Sequence, residues 1–476
     1  MTRMFFDVSD LRRYLTHAHR LSGIQRVTVM VIEEAAQTLG GDTVYLSFHD
    51  AKAGRYRCVR YADLGVDSIS SPTQLSRALD VLPAVATLRP SLERYRKKPV
   101  KRAFHATVRD LNAAIGNKRH FERRNITIEA WKNSNPKTPF LEASQKSAFS
   151  DFDSVAKEGD RLLLLDASWE DRGACKAHRK AHDNGIRVYS LIHDLIPIVT
   201  PEFVVGHQGV KFHNWLHGTL EYVDVYLANS KATAKDLRAF LKVYDADIPV
   251  RDVPLAQARL PAEIDAQDVP ERLGSIDQCT YAKLYNGAFV GETVRALLKR
   301  PYALCVGTIE ARKNTWSMVQ AWDRMVSAGV PHLPKLVFAG RPGWLNADFD
   351  RFMERSGNLG GWVEILHGPS DQELDHLYRN CLFTIFVSYK EGWGLPIGEG
   401  LSYGKTGVVS GVSSMPEVGG DLVEYCDPLS IASIEAACRK LVETPEHREN
   451  LEQRIAETPL RSWSDVARDV ISAVRD

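Results

Sequence analysis

The chain has 476 residues, 44% of them hydrophobic and 25% charged, with 32 Gly and 22 Pro, a globular composition that excludes fibrous, low-complexity and wholly disordered classes. Its 61 Lys and Arg balance 60 Asp and Glu to a net charge of +1, which excludes a nucleic-acid binder working through its whole surface. At roughly three times a domain of about 150 residues, the length predicts two domains. Seven Cys without a CxxC pair or zinc-ligand spacing read as the thiols of a reduced, cytosolic protein. The opening run Met4 to Val8 is short and broken by Asp7, and no apolar run reaches the roughly 18 residues of a membrane span. The expected location is the cytoplasm, or the cytoplasmic face of a membrane as a peripheral protein.

In chain order, Leu21 to Val27 (LSGIQRV) opens a helix spaced by Ile24, Val27, Val31 and Ala35. Ser22 is placed as its N-cap and Gly23 beside the first turn, a geometry suited to a phosphate or an acceptor. A strand follows at Val44 to Phe48, and then strand signals vanish from Ser70 to Ser154. Within that stretch, residues 91–137 carry 13 Lys or Arg against 4 Asp or Glu, a local charge of +9. Arg94, Arg96, Lys97, Lys98, Lys101 and Arg102 crowd its start, and Phe104, Phe121 and Trp131 are interleaved further on. Such a mixture suits an arm on the acceptor side or against an anionic membrane. The bland alternative is a solvated basic face.

Apolar, β-branched strands resume at Arg161–Leu165, Val188–Ile192 and Val223–Ala228. The second ends in His193 and Asp194, placing His193 at the carboxyl end of a parallel strand, where open sheets bind ligands. The third ends in Asn229 and Ser230, with Ser230 capping the next helix. From Ala256 to about Arg300 the pattern is irregular, as in a domain linker. Strands then recur at Ala303–Val306, Lys335–Ala339, Trp362–Leu366 and Leu382–Val387 with helical spacing between them, which predicts doubly wound α/β layers.

Two strand-to-helix loops carry candidate chemistry. In Ser388 to Gly400 (SYKEGWGLPIGEG), Gly392 and Gly394 let backbone amides approach a ligand, and Pro396 suits the first turn of a helix whose N-terminus favours anions. Glu391 and Glu399 are two carboxylates able to grip hydroxyls of a sugar and a ribose. In Gly307 to Asn314 (GTIEARKN), Arg312 offers a forked donor and Lys313 a point charge to a diphosphate.

Together with HGPSDQELDHLY from His367 and SGVSSMPEVGGD from Ser410, these loops resemble the C-terminal domain of glycosyltransferase family 4, over about 120 residues. The resemblance implies a GT-B fold of two Rossmann-like doubly wound α/β domains facing each other across a cleft. It implies 1–290 as the acceptor-side domain with the basic insertion, 291–455 as the nucleotide-sugar domain, and 456–476 as helices crossing back. It implies retaining transfer of a hexose from a nucleotide diphosphate sugar to a glycan or lipid-linked glycan in polysaccharide assembly, with mannose from GDP-mannose suggested by relatives sharing the EGWGLP-type loop.

On the same resemblance Glu391 contacts the donor sugar, Glu399 the ribose, and Lys313 with Arg312 the diphosphate. Gly307, Thr308, Gly392, Trp393, Gly394 and Leu395 complete the donor loops. His193 lies near the anomeric carbon, and Ser22 with Gly23 forms the acceptor-side or phosphate-side loop. Thr308 stands where many members carry Arg, so the guanidinium role falls to Arg312, and Thr406 replaces a usual Pro. No metal or other cofactor is expected: the pairs Asp151/Asp153, Asp245/Asp247 and Asp348/Asp350 do not follow clear apolar strands. The competing readings are a GT-B sugar-nucleotide epimerase and a catalytically silent GT-B scaffold that binds glycan or nucleotide.

Overall fold

A computed structural model describes residues 2–16, 21–51, 53–66, 68–81, 92, 98–117, 120, 121, 128, 131, 149–257 and 290–475. Most of the irregular stretch read as a linker, and Arg94, Arg96 and Lys97 of the basic run, lie outside these residues. The chain divides into two compact units, one of Met1–Lys157 with Asp166–Ala177, the other of Glu158–Leu165 with His178–Asp476.

The first unit contains β1 (Met4–Asp7), β2 (Val44–Asp50), β3 (Arg55–Arg60) and β4 (Ser150–Asp151), in the order β4-β3-β2-β1. β1 and β2 are parallel, with Met4 opposite Val44, whereas β3 runs antiparallel to both β2 and β4. The expectation of parallel strands therefore fails at this edge. Gly54, at φ +63°, donates its N–H to Asp50 O and folds β3 straight back on β2, where a parallel neighbour would need a long crossover. The short run at the N-terminus is itself a strand, buried at all four positions, and Asp7 ends it by accepting from both the N–H and the Oγ–H of Ser9. The helix Gly23–Leu39 begins after an extended Ser22, as expected, but the Ser22 hydroxyl pairs with the Gln25 side chain and caps no backbone N–H.

In the second unit, β5 (Arg161–Leu164), β6 (Arg187–Ile192), β7 (Val225–Ala228) and β8 (Val250–Asp252) lie side by side and parallel. Ser230 caps the helix Lys231–Val243 as the sequence implies, accepting from Thr233 N–H at 3.0 Å. A second, wholly parallel sheet is built from β9 (Tyr302–Val306), β10 (Lys335–Gly340), β11 (Val363–His367), β12 (Phe383–Phe386), β13 (Gly407–Ser410) and β14 (Glu424–Cys426), in the order β11-β10-β9-β12-β13-β14. The eight strands expected from the sequence are present, each within two residues at either end.

Alternation along the second sheet explains why both its faces are covered. Ala303, Cys305, Leu336 and Phe338 join the core beneath Met318, Trp322 and Met325 of the helix Thr315–Ser327. Tyr302, Leu304, Val337 and Ala339 face the opposite layer, against Val294, Leu377 and Tyr378. The last helix, Trp463–Arg475, returns to β6 and β8: Val474 O accepts from Tyr189 Oη and Ala473 O from Arg251 Nη1. Among the described residues, no helix is long and apolar enough to cross a membrane.

Candidate active site

Strand order β11-β10-β9-β12-β13-β14 reverses direction between β9 and β12, which register with Phe383 opposite Ala303. In a parallel sheet such a reversal opens a crevice at the carboxyl ends of the two central strands. Both sequence motifs lie there. After β9 the chain passes Gly307, at φ +144°, a short 3-10 turn Ala311–Lys313, and Asn314 in the left-handed conformation. Asn tolerates that conformation better than most residues, and its amide donates to Val387 O at 3.1 Å and Pro428 O at 2.8 Å. After β12 the loop is tied to the first by Tyr389 N–H on Arg312 O, and Gly394 at φ +112° admits the helix Leu395–Ser402, with Pro396 in its first turn.

One carboxylate oxygen organises the charges. Glu391 Oε1 lies 2.7 Å from Arg312 Nη1 and 2.6 Å from Lys313 Nζ. Arg312 also donates from Nη1 to Lys390 O at 2.7 Å and from Nη2 to Glu310 Oε1 at 2.6 Å, while Lys313 Nζ sits 4.5 Å from the Phe386 ring centroid. Two anions and two cations are thus packed together in a largely buried site. Burial pushes the Glu391 carboxyl up, but Arg312 and Lys313 outweigh it and hold its pKa at about 2. Burial draws the Lys313 ammonium below the usual lysine range despite Glu391, whereas for Arg312 the neighbouring Glu391 and Glu310 overcome burial and raise it.

His193 and Asp194 reach the same loop. A Cβ on Gly392 would stand 1.8 Å from His193 O and 3.0 Å from Asp194 Cβ, so contact with the end of β6 by itself requires glycine here. The Thr233 hydroxyl lies 3.4 Å from His193 O and 3.3 Å from Gly392 O. The His193 ring is buried, with Nε2 2.8 Å from Leu165 O. A carbonyl there fixes the proton on Nε2, leaving Nδ1 as the acceptor of the neutral ring. Burial lowers the His193 pKa, with the Leu165 carbonyl opposing it, and burial raises that of Asp194, with Arg312 opposing it.

The remaining donor-loop residues are spread along the same chain path. Thr308 follows Gly307, with its methyl 2.8 Å from where a Cβ on Gly343 would lie. Trp393 is buried and donates Nε1–H to Ala256 O, and Leu395 is the first residue of its helix. Glu399 is buried further along that helix and accepts from Tyr378 Oη at 2.8 Å. Ser22 and Gly23 belong to the first unit, as do Asp151 and Asp153. Asp348 and Asp350 occupy the first turn of a helix, and among the described residues no group of three or more His, Cys, Asp or Glu is arranged to hold a metal.

Several partners escaped the sequence reading. Glu310, buried within the first motif, and Tyr378, the last residue of HGPSDQELDHLY, position Arg312 and Glu399, roles that their places in those motifs do not announce. Ser413 and Ser414 donate to Glu391 O at 2.7 and 3.0 Å. Their motif was visible, but nothing in its spacing says which carbonyl they reach. The loop is also fixed by Tyr389 stacked on Phe203 at 5.4 Å and by Lys390 paired with Asp236 at 2.6 Å.

Two sheets, a switch-point crevice and paired strand-end loops make this a two-domain α/β fold of the GT-B type. Residues 293–458 match the family described as glycosyl transferases group 1. The chain is 33% identical to the O-antigen chain mannosyltransferase B of Escherichia coli over 175 residues, 37% of this chain and 45% of that protein. It is 24% identical to the serotype-specific mannosyltransferase WbdA of Escherichia coli over 212 residues, 44% of this chain and 24% of that one. The matches thus span less than half the length of these curated relatives. Among solved structures, Anabaena HepE in complex with UDP and glucose aligns over 100% of both chains with a TM-score of 0.54 and 11% identity, a likeness of fold.

Proposed function

We propose that the chain is a retaining hexosyltransferase of the family 4 kind, moving mannose from GDP-mannose to a glycan or lipid-linked glycan in polysaccharide assembly. The observation that carries this reading is the single Glu391 oxygen held by both Arg312 and Lys313 at the sheet's switch point. A donor diphosphate would offer those cations oxygens of its own, and Glu391, released from them, would accept from hydroxyls of the sugar. As the bond from the anomeric carbon to the diphosphate breaks and that to the acceptor oxygen forms on the same face, negative charge grows on the leaving diphosphate, whose departing oxygen takes the proton released by the acceptor hydroxyl. Arg312 and Lys313 stabilise it there. Glu399, oriented by Tyr378, takes the ribose, Nδ1 of His193 faces the reacting sugar, and Ser22 with Gly23 serves the acceptor side.

The donor side comprises 291–455 and the acceptor side 1–290, with 456–476 completing the latter, and the working location is the cytoplasm or a membrane's cytoplasmic face. Support for mannose is the naming of the two relatives as mannosyltransferases. No metal is required in this scheme, because two side-chain cations neutralise the diphosphate.

Thermal unfolding with GDP, UDP, dTDP and ADP sugars tests the donor. Free ligand at 100 times its Kd adds about 2.7 kcal/mol. GDP-mannose is expected to give the largest shift, and no shift with any nucleotide sugar would overturn the reading. Proton NMR of the first product reports the anomeric configuration, and transfer should persist in excess EDTA.

A further inference from the structure

The helix Pro99–Ala114 is turned the wrong way round for a helix in water. Its packed side carries small and polar residues: Ala113 and Ala106 touch a cluster with Phe121 and Trp131, and the Arg109 guanidinium lies 5.3 Å over the Trp131 ring. Its large apolar residues face outward, with Val100 81%, Phe104 65%, Leu111 61% and Ile115, at its C-cap, 76% exposed. At about 100° per residue these four fall within roughly 60° of arc, opposite the packed side, and span about 22 Å of helix axis. A surface helix ordinarily does the reverse. Phe104 has the edge of the His105 ring at 5.5 Å, and Thr107, on the same side, keeps its hydroxyl on Ala103 O, so the outward stripe offers little polar competition.

We propose that this helix is an interfacial anchor that lays Val100, Phe104, Leu111 and Ile115 into the headgroup boundary of an anionic bilayer. Charge selects the occupant. Lys101, about 40° beyond Ile115 around the axis, borders the stripe, Lys98 stands at the N-cap, and the surrounding sequence 91–137 carries +9. A narrow apolar stripe edged by Lys is the pattern of a helix that lies in a membrane surface, with the basic residues attracted by anionic lipid. A second copy of the chain fits less well. A stable interface takes about 800 Å² and 20–30 residues a side, far more than a four-residue stripe supplies. The anchor deepens the reading above, since it would hold a transferase beside a lipid-linked acceptor, but its test needs neither donor nor acceptor.

The experiment is co-sedimentation of the full chain with vesicles of pure phosphatidylcholine and of phosphatidylcholine containing 30% phosphatidylglycerol, each at 50 and 500 mM NaCl. Binding is expected to the anionic vesicles, weakened by salt. Phe104→Ser with Leu111→Ser should lower the bound-to-free ratio at least tenfold at both salt concentrations. Lys98→Ser with Lys101→Ser should remove most of the preference for anionic lipid. Circular dichroism establishes that each variant is folded, and Val100→Ser with Ile115→Ser gives an independent pair should the first fail to fold. Wild-type protein left in the supernatant, or undiminished binding by both apolar pairs, would overturn the proposal. So would a concentration-dependent dimer that the apolar substitutions dissolve. Nucleotide-sugar shifts measured on the same samples keep failure of the anchor distinct from failure of the transferase reading.

Discussion

The loops after β9 and β12 in the second unit and the turn after β1 in the first both sit at carboxyl ends of parallel strands, yet their electrostatics are opposite. In the second unit the buried carboxylates Glu310 and Glu391 share Arg312 and Lys313, and Glu391 is held ionised with a pKa of about 2. Among the described residues, the buried carboxylates Asp7, Asp10 and Asp166 of the first unit each meet neutral donors. Asp7 accepts from Tyr56 Oη at 2.5 Å, Asp10 from Gln25 Nε2 at 3.0 Å, and Asp166 from the N–H groups of Leu11 and Ala167, while Arg13 pairs with Asp10 from a half-exposed position. Burial, reinforced by Asp10, pushes the Asp166 carboxyl well above its usual range. A strand end is therefore only a location. At one end buried cations hold a carboxylate ionised, and at the other burial and a neighbouring carboxylate favour the protonated form of Asp166.

The largest expected effect comes from removing the cation shared by both glutamates. Arg312→Ala leaves Glu310 buried without its ion pair and should cost about 3–5 kcal/mol of stability in urea unfolding, along with transfer activity. A loss within 1 kcal/mol would break the comparison, since Glu310 would then not depend on that cation. Lys313→Ala should spare most of the stability, because Arg312 still holds Glu391, yet lower transfer by about 10²-fold or more in steady-state assays. Near-normal turnover would remove Lys313 from the diphosphate.

Gly392→Ala tests the packing behind the charges. Its Cβ would meet His193 O at 1.8 Å, so a destabilisation of about 1–3 kcal/mol is expected by thermal unfolding, against no measurable change for a surface Ala substitution. The smallest effect sharpens the first-unit half. Because the folded pKa of Asp166 is raised, its stabilising contribution is complete below the unfolded value of 3.8 and is lost as pH rises through the folded one. Asp10→Asn should bring the Asp166 carbon resonance to titrate at lower pH in NMR and flatten that loss. An unmoved titration would show that Asp10 does not contribute to it.

Much of this was legible in the sequence because strands and loop motifs are local. Val188–Ile192 or Ala303–Val306 is apolar and β-branched wherever it folds, and Gly394, Pro396 and Asn314 announce a turn and a helix start through their own backbone preferences. The same reading missed β3, because β3 is polar on one edge and is made a strand by its hairpin to β2. It also left a second constraint on Gly392 unseen. A missing Cβ says that something comes close, but only the fold says that it is the carbonyl of His193, 199 residues earlier in the chain.

An inventory can be read along the chain: which residues end strands, which loops carry paired carboxylates and a basic pair, and how the layers alternate, since each depends on side-chain chemistry within a few residues. Tertiary structure alone decided the pairings. Arg312 and Lys313 are neighbours in sequence, but their charge is balanced by Glu391, 78 residues away from Lys313, and Glu399 is oriented by Tyr378 from another helix. The direction faced by Val100, Phe104, Leu111 and Ile115 was likewise settled by which side of their helix met Trp131 and Phe121. Electrostatic and packing energies act through space, at distances of a few ångströms that the order of residues along a chain does not encode.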